Sequence, residues 1–200
     1  MAHGFVASKL DTTNIFDGCL ATLRKELTSK LPEGKTWTYE YDIKHIVGTV
    51  EVYNARPYPY EEKSETWIEI YFGNKWILPS AYSLMGRRLY ADNFLKGWEF
   101  SGLNMNNEWI LLHNESNKQF SPYENRTYLL KGNEAYKGFR IEMTEPDSKN
   151  QWALCLGQIE VFGNIYKSPI IPKIGIFKCT TTRLFLINSL ILSIHLILIS

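Results

Sequence analysis

Cysteine and net charge are both scarce in this chain, and each shortage removes a class of function. The three cysteines, Cys19, Cys155 and Cys179, are odd in number and lie far apart among 200 residues. Zinc sites need close Cys or Cys/His pairs and disulfide frameworks need even sets, so no metal or other cofactor is expected. The 22 basic and 21 acidic residues leave a formal charge of +1, too small a field to steer the chain onto nucleic acid. The first residues lack the apolar run of a secretory signal. The chain is therefore expected to face the cytoplasm, where the sequons at Asn114 and Asn125 carry no glycan.

Patterns that carry chemistry are missing too. There is no Gly-x-Ser-x-Gly turn, His-Glu-x-x-His, Gly-Lys-Ser/Thr phosphate loop or paired-glycine dinucleotide signature. His45 begins one expected strand and His113 ends another, and both read as structural. Cys155 lies in the apolar run Trp152 to Gly157, where a cysteine behaves as a small hydrophobe and not as a nucleophile partnered with His113. Glu61 with Glu62, and Glu145 with Asp147, read as solvated loop charges; a glycosidase sets two carboxylates several ångströms apart across a cleft. The expectation is a protein that binds, not an enzyme.

What is present is aromatic: 14% of residues, with 6 Trp and 12 Tyr, suited to half-buried pleated surfaces. From Asn14 to Leu31 apolar residues recur three to four apart before Pro32-Glu33-Gly34, which predicts an amphipathic helix within a segment 1–34. From Lys35 the period changes to two. Runs at Trp37 to Tyr41, Val47 to Val52, Thr66 to Phe72, Trp76 to Leu84, Gly97 to Gly102 and Trp109 to His113 predict strands. So do Thr127 to Leu130, Gly138 to Met143 and Gln158 to Phe162. Turn-rich connections between them point to an all-β sandwich or barrel over 35–165. Pro169, Pro172 and the lysines around them make 166–183 a linker. Leu184 to Ile199, within 184–200, is apolar and uncharged but shorter than the ~20 residues a membrane helix usually needs. Three readings stand for it: a transmembrane tail anchor, a read-through end, or a buried terminal helix or strand. As an anchor, with basic residues only before it, it would leave the domain facing the cytoplasm.

The segment Trp98 to Leu112 resembles the hairpin of discoidin-like domains, the coagulation factor 5/8 type C family of the galactose-binding-like superfamily. Trp98 and Phe100 share a face, Gly102 leaves the strand, Asn104 to Asn107 turn, and Trp109 enters the next strand. Phe139-Arg140-Ile141 and Leu154 to Gly163 are similar to the family's last strands. Trp76 to Leu84 and Phe16 to Leu23 resemble a protist and BTB-linked subgroup. The resemblance spans Phe16 to Gly163 and implies a discoidin-like jelly-roll β-sandwich (galactose-binding-domain-like), non-catalytic, with ligands held by loops at one end. The N-terminal amphipathic helix and a C-terminal apolar helix would flank it. Arg87 to Trp98 departs from the subgroup's Gly-rich loop, so no inherited contact, phospholipid binding or calcium site is carried over.

Two loops have the composition of a binding surface. One holds Tyr53, Arg56, Tyr58 and Tyr60; the other holds Arg87, Arg88, Tyr90, Asp92 and Asn93. Tyrosine rings stack on the C–H face of a sugar while Arg, Asn and Asp bond its hydroxyls. The same groups suit a protein epitope, or are ordinary connectors. The function expected is recognition of a protein or glycan ligand, with Leu184 to Ile199 as a candidate membrane anchor. The alternatives are a carbohydrate-binding accessory domain of a larger hydrolase, or a scaffold without ligand.

Overall fold

Strands form here where aromatic and β-branched residues alternate with polar ones, because such side chains pack well on a pleated, half-buried surface. The computed structural model describes residues 17–37, 42–47, 57–58, 66–87, 93–169, 175–178 and 184–187. In chain order they hold α1 (Cys19–Thr22), β1 (Thr28–Lys30), β2 (Thr36–Trp37), β3 (Pro57–Tyr58), β4 (Trp67–Tyr71), β5 (Trp76–Met85), β6 (Trp98–Leu103) and β7 (Trp109–Glu115). Then come β8 (Asn125–Leu129), β9 (Gly138–Met143), β10 (Gln158–Tyr166), β11 (Gly175–Lys178) and β12 (Leu184–Ile187). They fall into two units, one ending at Pro169 and one holding β11 and β12.

The first unit is a sandwich of two antiparallel sheets, ordered β1-β4-β9-β6-β7 and β10-β5-β8. Ile68, Ile70, Trp98, Phe100, Phe139 and Ile141 come from the first sheet, and Tyr82, Leu84, Ile159 and Val161 from the second; all are buried in one core. Tyr82 stacks on Phe100 across the sheets at 4.1 Å between ring centroids. Each such side chain contributes about 1.5–3 kcal/mol by leaving water. The Trp98 hairpin forms as its sequence implies. Asn104 Oδ1 accepts the N–H groups of Asn106 and Glu108 at 2.9 and 3.0 Å, and Asn107 takes φ 64°, a left-handed turn position that Asn tolerates.

Two irregularities matter. In β10, Phe162 faces Ala81 but Gly163 faces Pro79, so Ser80 bulges. Gly163 has φ 151° and an added Cβ would lie 2.0 Å from the Leu78 carbonyl oxygen, so only glycine fits. The bulge also accommodates a proline inside a paired strand. In β7, Phe100 faces His113 while Ser101 faces Leu111, leaving Leu112 unmatched. That shift turns His113 toward the core.

Three expectations are corrected. Among described residues the single helix predicted from Asn14 to Leu31 is one turn of α1, a 3-10 turn at Arg24–Glu26, and β1. Its apolar residues Cys19, Leu20, Leu23 and Leu27 are buried, but in the sandwich itself and not in an appendage. The main-chain bonds of β1 to β4 outweigh helix propensity. His45 lies in a 3-10 turn capped by Asp42, not in a strand. At the C-terminus, Leu184–Ile187 and Gly175–Lys178 pair as a β-ladder, so these residues are neither the expected helix nor plain linker; their Ile, Leu and Phe content suits a strand. Among the described residues no helix is long and apolar enough to cross a membrane, and residues 188–199 of the candidate anchor lie outside those described.

Candidate functional site

The strands bring three connections to one end of the sandwich, because β5, β7 and β9 finish where β6, β8 and β10 begin. Main-chain bonds stitch these loops together. Lys118 and Phe120 donate to the carbonyls of Lys96 and Leu95 at 2.9 and 3.0 Å, Ser148 donates to Phe94 at 3.0 Å, and Tyr123 donates to Arg87 at 2.9 Å. Asp147, read from sequence as a solvated charge, is buried instead. Its carboxylate accepts Lys149 N, Gln151 N and Asn93 Nδ2 at 2.8, 2.9 and 2.7 Å, and a buried carboxylate is stable only when so satisfied. Glu145 accepts Asn117 N at 2.6 Å and pairs with Lys96 at 3.8 Å. Loops cross-linked this way are preorganised.

Beside these loops, between the edge strands β7 and β8, runs an open groove of about 490 Å³ lined by Glu115, Lys118, Arg126, Thr127 and Tyr128. Arg126 is fastened: Nε and Nη2 donate to Glu124 at 2.7 and 2.9 Å, and Nη1 and Nη2 donate to the Lys118 and Gln119 carbonyls at 2.5 and 2.7 Å. Its guanidinium also lies 4.3 Å over the Phe120 ring. Arg126 in turn holds the Glu124 carboxyl below its usual range. Tyr128 stacks on Tyr82 at 5.1 Å and meets His113 at 4.6 Å.

A buried relay fixes the histidine. Trp98 Nε1, which can only donate, gives its proton to the Tyr82 hydroxyl at 2.9 Å. The Tyr82 hydroxyl and His113 Nδ1 lie 2.7 Å apart; when Tyr82 is the donor of that bond, His113 is neutral and carries hydrogen on Nε2. Burial favours this state, lowering the His113 pKa and raising that of Tyr82.

On the outer face of the five-stranded sheet, Arg140 lies between Trp67 and Trp109, 4.9 and 4.5 Å from their ring centroids. Its Nη2 donates to Glu69 Oε1 at 2.5 Å, and Tyr71 donates to Glu69 Oε2 at 2.6 Å. The ladder satisfies itself.

Of the residues singled out from sequence, Arg87 sits at this loop end, its Nε buried and without a hydrogen-bond partner among the described residues. Asn93 is nearby, but its amide donates to Asp147 and Gln151 at 2.7 and 2.8 Å and so ties loops together. Tyr58 lies in β3 opposite Thr36. Tyr53, Arg56, Tyr60, Arg88, Tyr90 and Asp92 lie outside the described residues. His113, Glu115, Lys118 and Tyr128 were not anticipated. The spacing of Arg126 and Tyr128 on a short strand is the only hint the sequence carries. Among the described residues no group of three His, Cys, Asp or Glu could hold a metal.

A solved family 32 carbohydrate-binding module from Clostridium perfringens, in complex with GalNAc-β-1,3-galactose, matches with TM-score 0.55 and 13% identity, over 70% of this chain and 97% of that one. The fold is a jelly-roll β-sandwich similar to that module's. The family 32 module of C. perfringens NanJ, in complex with galactose, matches with TM-score 0.53 and 10% identity over 70% of this chain and 95% of that one. A C. perfringens family 89 glycoside hydrolase matches with TM-score 0.53 and 12% identity, over 70% of this chain but 14% of the hydrolase. These likenesses agree with the discoidin-like jelly roll expected from the Trp98 hairpin. No protein-family model matches the chain, and no curated protein matches it.

Proposed function

We propose that this protein is a non-catalytic module that binds a glycan through the loop end of its sandwich. The observation that carries this reading is the fold shared with whole modules whose structures hold galactose and GalNAc-β-1,3-galactose. The stitched loops around Arg87 support it, since its buried Nε, without a partner among the described residues, has capacity for a ligand oxygen. The occurrence of the same fold as a small part of a glycoside hydrolase chain supports a second reading, that of an accessory module which keeps an enzyme near its substrate. Trp76 to Leu84 favours the protist and BTB-linked subgroup among discoidin-like relatives.

The test is an array of immobilised glycans probed with the full chain, followed by titration calorimetry on the hits. Binding is expected, with Arg87→Ala about tenfold weaker and its circular dichroism unchanged, as for one lost hydrogen bond to a charged group. A chain that is folded yet retains no glycan on the array would refute the proposal.

A further inference from the structure

The groove between β7 and β8 has a chemistry of its own. Arg126 forms a wall of it and directs its N–H groups to Glu124 and to the Lys118 and Gln119 carbonyls. Glu115 and Lys118 differ: among the described residues neither enters an ion pair, with each other or with a neighbour, yet both line the same space. Glu115 offers carboxylate acceptors, Lys118 offers ammonium donors, and the half-buried Tyr128 ring offers an apolar face. Behind Tyr128, 4.6 Å away between ring centroids, lies His113, bonded through Nδ1 to Tyr82.

These groups select among ligand classes. A phosphate or other anion would meet the Glu115 carboxylate, and an apolar ligand would strip water from Glu115 and Lys118 without replacing its hydrogen bonds. A neutral polyhydroxylated ring satisfies all of them. Its hydroxyls donate to Glu115 and accept from Lys118, while a C–H face packs on Tyr128. The volume of about 490 Å³ lies in the range of small-ligand sites. The loop Ser116 to Glu124 that closes the groove is the one stitched to Lys96 and Arg87, so the groove continues from the loop end.

We infer that this groove is a second sugar subsite, taking a neutral hexose-like residue next to the one held at the loop end, so that the module reads a disaccharide or longer glycan. The inference rests on the glycan-binding reading above. Side-chain ¹⁵N NMR of the full chain, titrated with galactose and with GalNAc-β-1,3-galactose, tests it. The disaccharide is expected to shift the Tyr128 ring signals and those of the His113 ring packed behind it. Glu115→Gln and Lys118→Ala, both at solvent-accessible positions, are each expected to weaken the disaccharide about tenfold and galactose less than about twofold. A disaccharide that binds both variants as it binds the parent, with His113 and Tyr128 unmoved, overturns the subsite and leaves loop-end glycan binding standing. A failure to bind any glycan, on the array as well as here, overturns both.

Discussion

Replacing Glu160 by glutamine changes one oxygen at a place where no solvent reaches. Glu160 is 0% exposed in β10, and its carboxyl accepts Leu20 N at 2.7 Å, Ala21 N at 3.0 Å and Val161 N at 2.8 Å. It therefore fastens the first turn of α1 to the last strand of the sandwich. Gly18 lets the two approach, since an added Cβ would lie 2.7 Å from Glu160 Cγ. Burial outweighs the N–H donors and pushes the Glu160 pKa from 4.5 up to about 7. An acid whose folded pKa is raised binds its proton more tightly folded than unfolded. Its contribution to stability is therefore largest below pH 4.5 and is lost as pH rises to about 7. At ~1.36 kcal/mol per pH unit, a gap of that size amounts to about 3 kcal/mol. Urea unfolding of the parent and Glu160→Gln, at about pH 4 and about pH 8, reads the difference directly. Glutamine does not titrate, so the variant is expected to gain about 3 kcal/mol on the parent between the two conditions, whatever its fixed cost. Subtracting the two proteins removes the other titrating groups. A difference that stays within about 0.5 kcal/mol, or moves the other way, would mean that the backbone donors hold Glu160 ionised and that the reasoning is wrong.

Gly163→Ala is expected to cost about 3 kcal/mol, because the Cβ meets the Leu78 carbonyl at a φ that disfavours side chains; a urea midpoint close to the parent's would contradict it. Arg140→Lys keeps the charge but loses the planar group held between Trp67 and Trp109 and the two bonds to Glu69 Oε1. A loss of about 1–2 kcal/mol is expected, with the Trp fluorescence changed and glycan affinity unaltered, because the ladder lies on the outer sheet face and not at the loop end.

How far the chain could be read beforehand depended on how local the information was. Period-two alternation with Asn-rich turn chemistry is local, and β4, β5, β6, β7, β9 and β10 lie where those patterns place them. The loop end was legible only in part. Arg87 and Asn93 were named for their composition; the Asn93 amide nitrogen donates to Asp147 and Gln151, residues more than fifty positions away, a tie that no local pattern shows.

What the sequence by itself determined is the class of fold and the hairpin from Trp98 to Leu112, since hydrophobic period and turn residues act over a few positions. Tertiary structure decided the rest. The stretch from Cys19 to Lys30 has a helical period, yet becomes a turn and an edge strand because β4 supplies backbone partners and Glu160 supplies the acceptor for Leu20 and Ala21. His113 would share a face with Trp109 and Leu111 by strict alternation; the unmatched Leu112 turns it inward to Tyr82. A bulge and a long-range hydrogen bond leave no periodic trace in a chain, so these features appeared only when the two sheets were packed together.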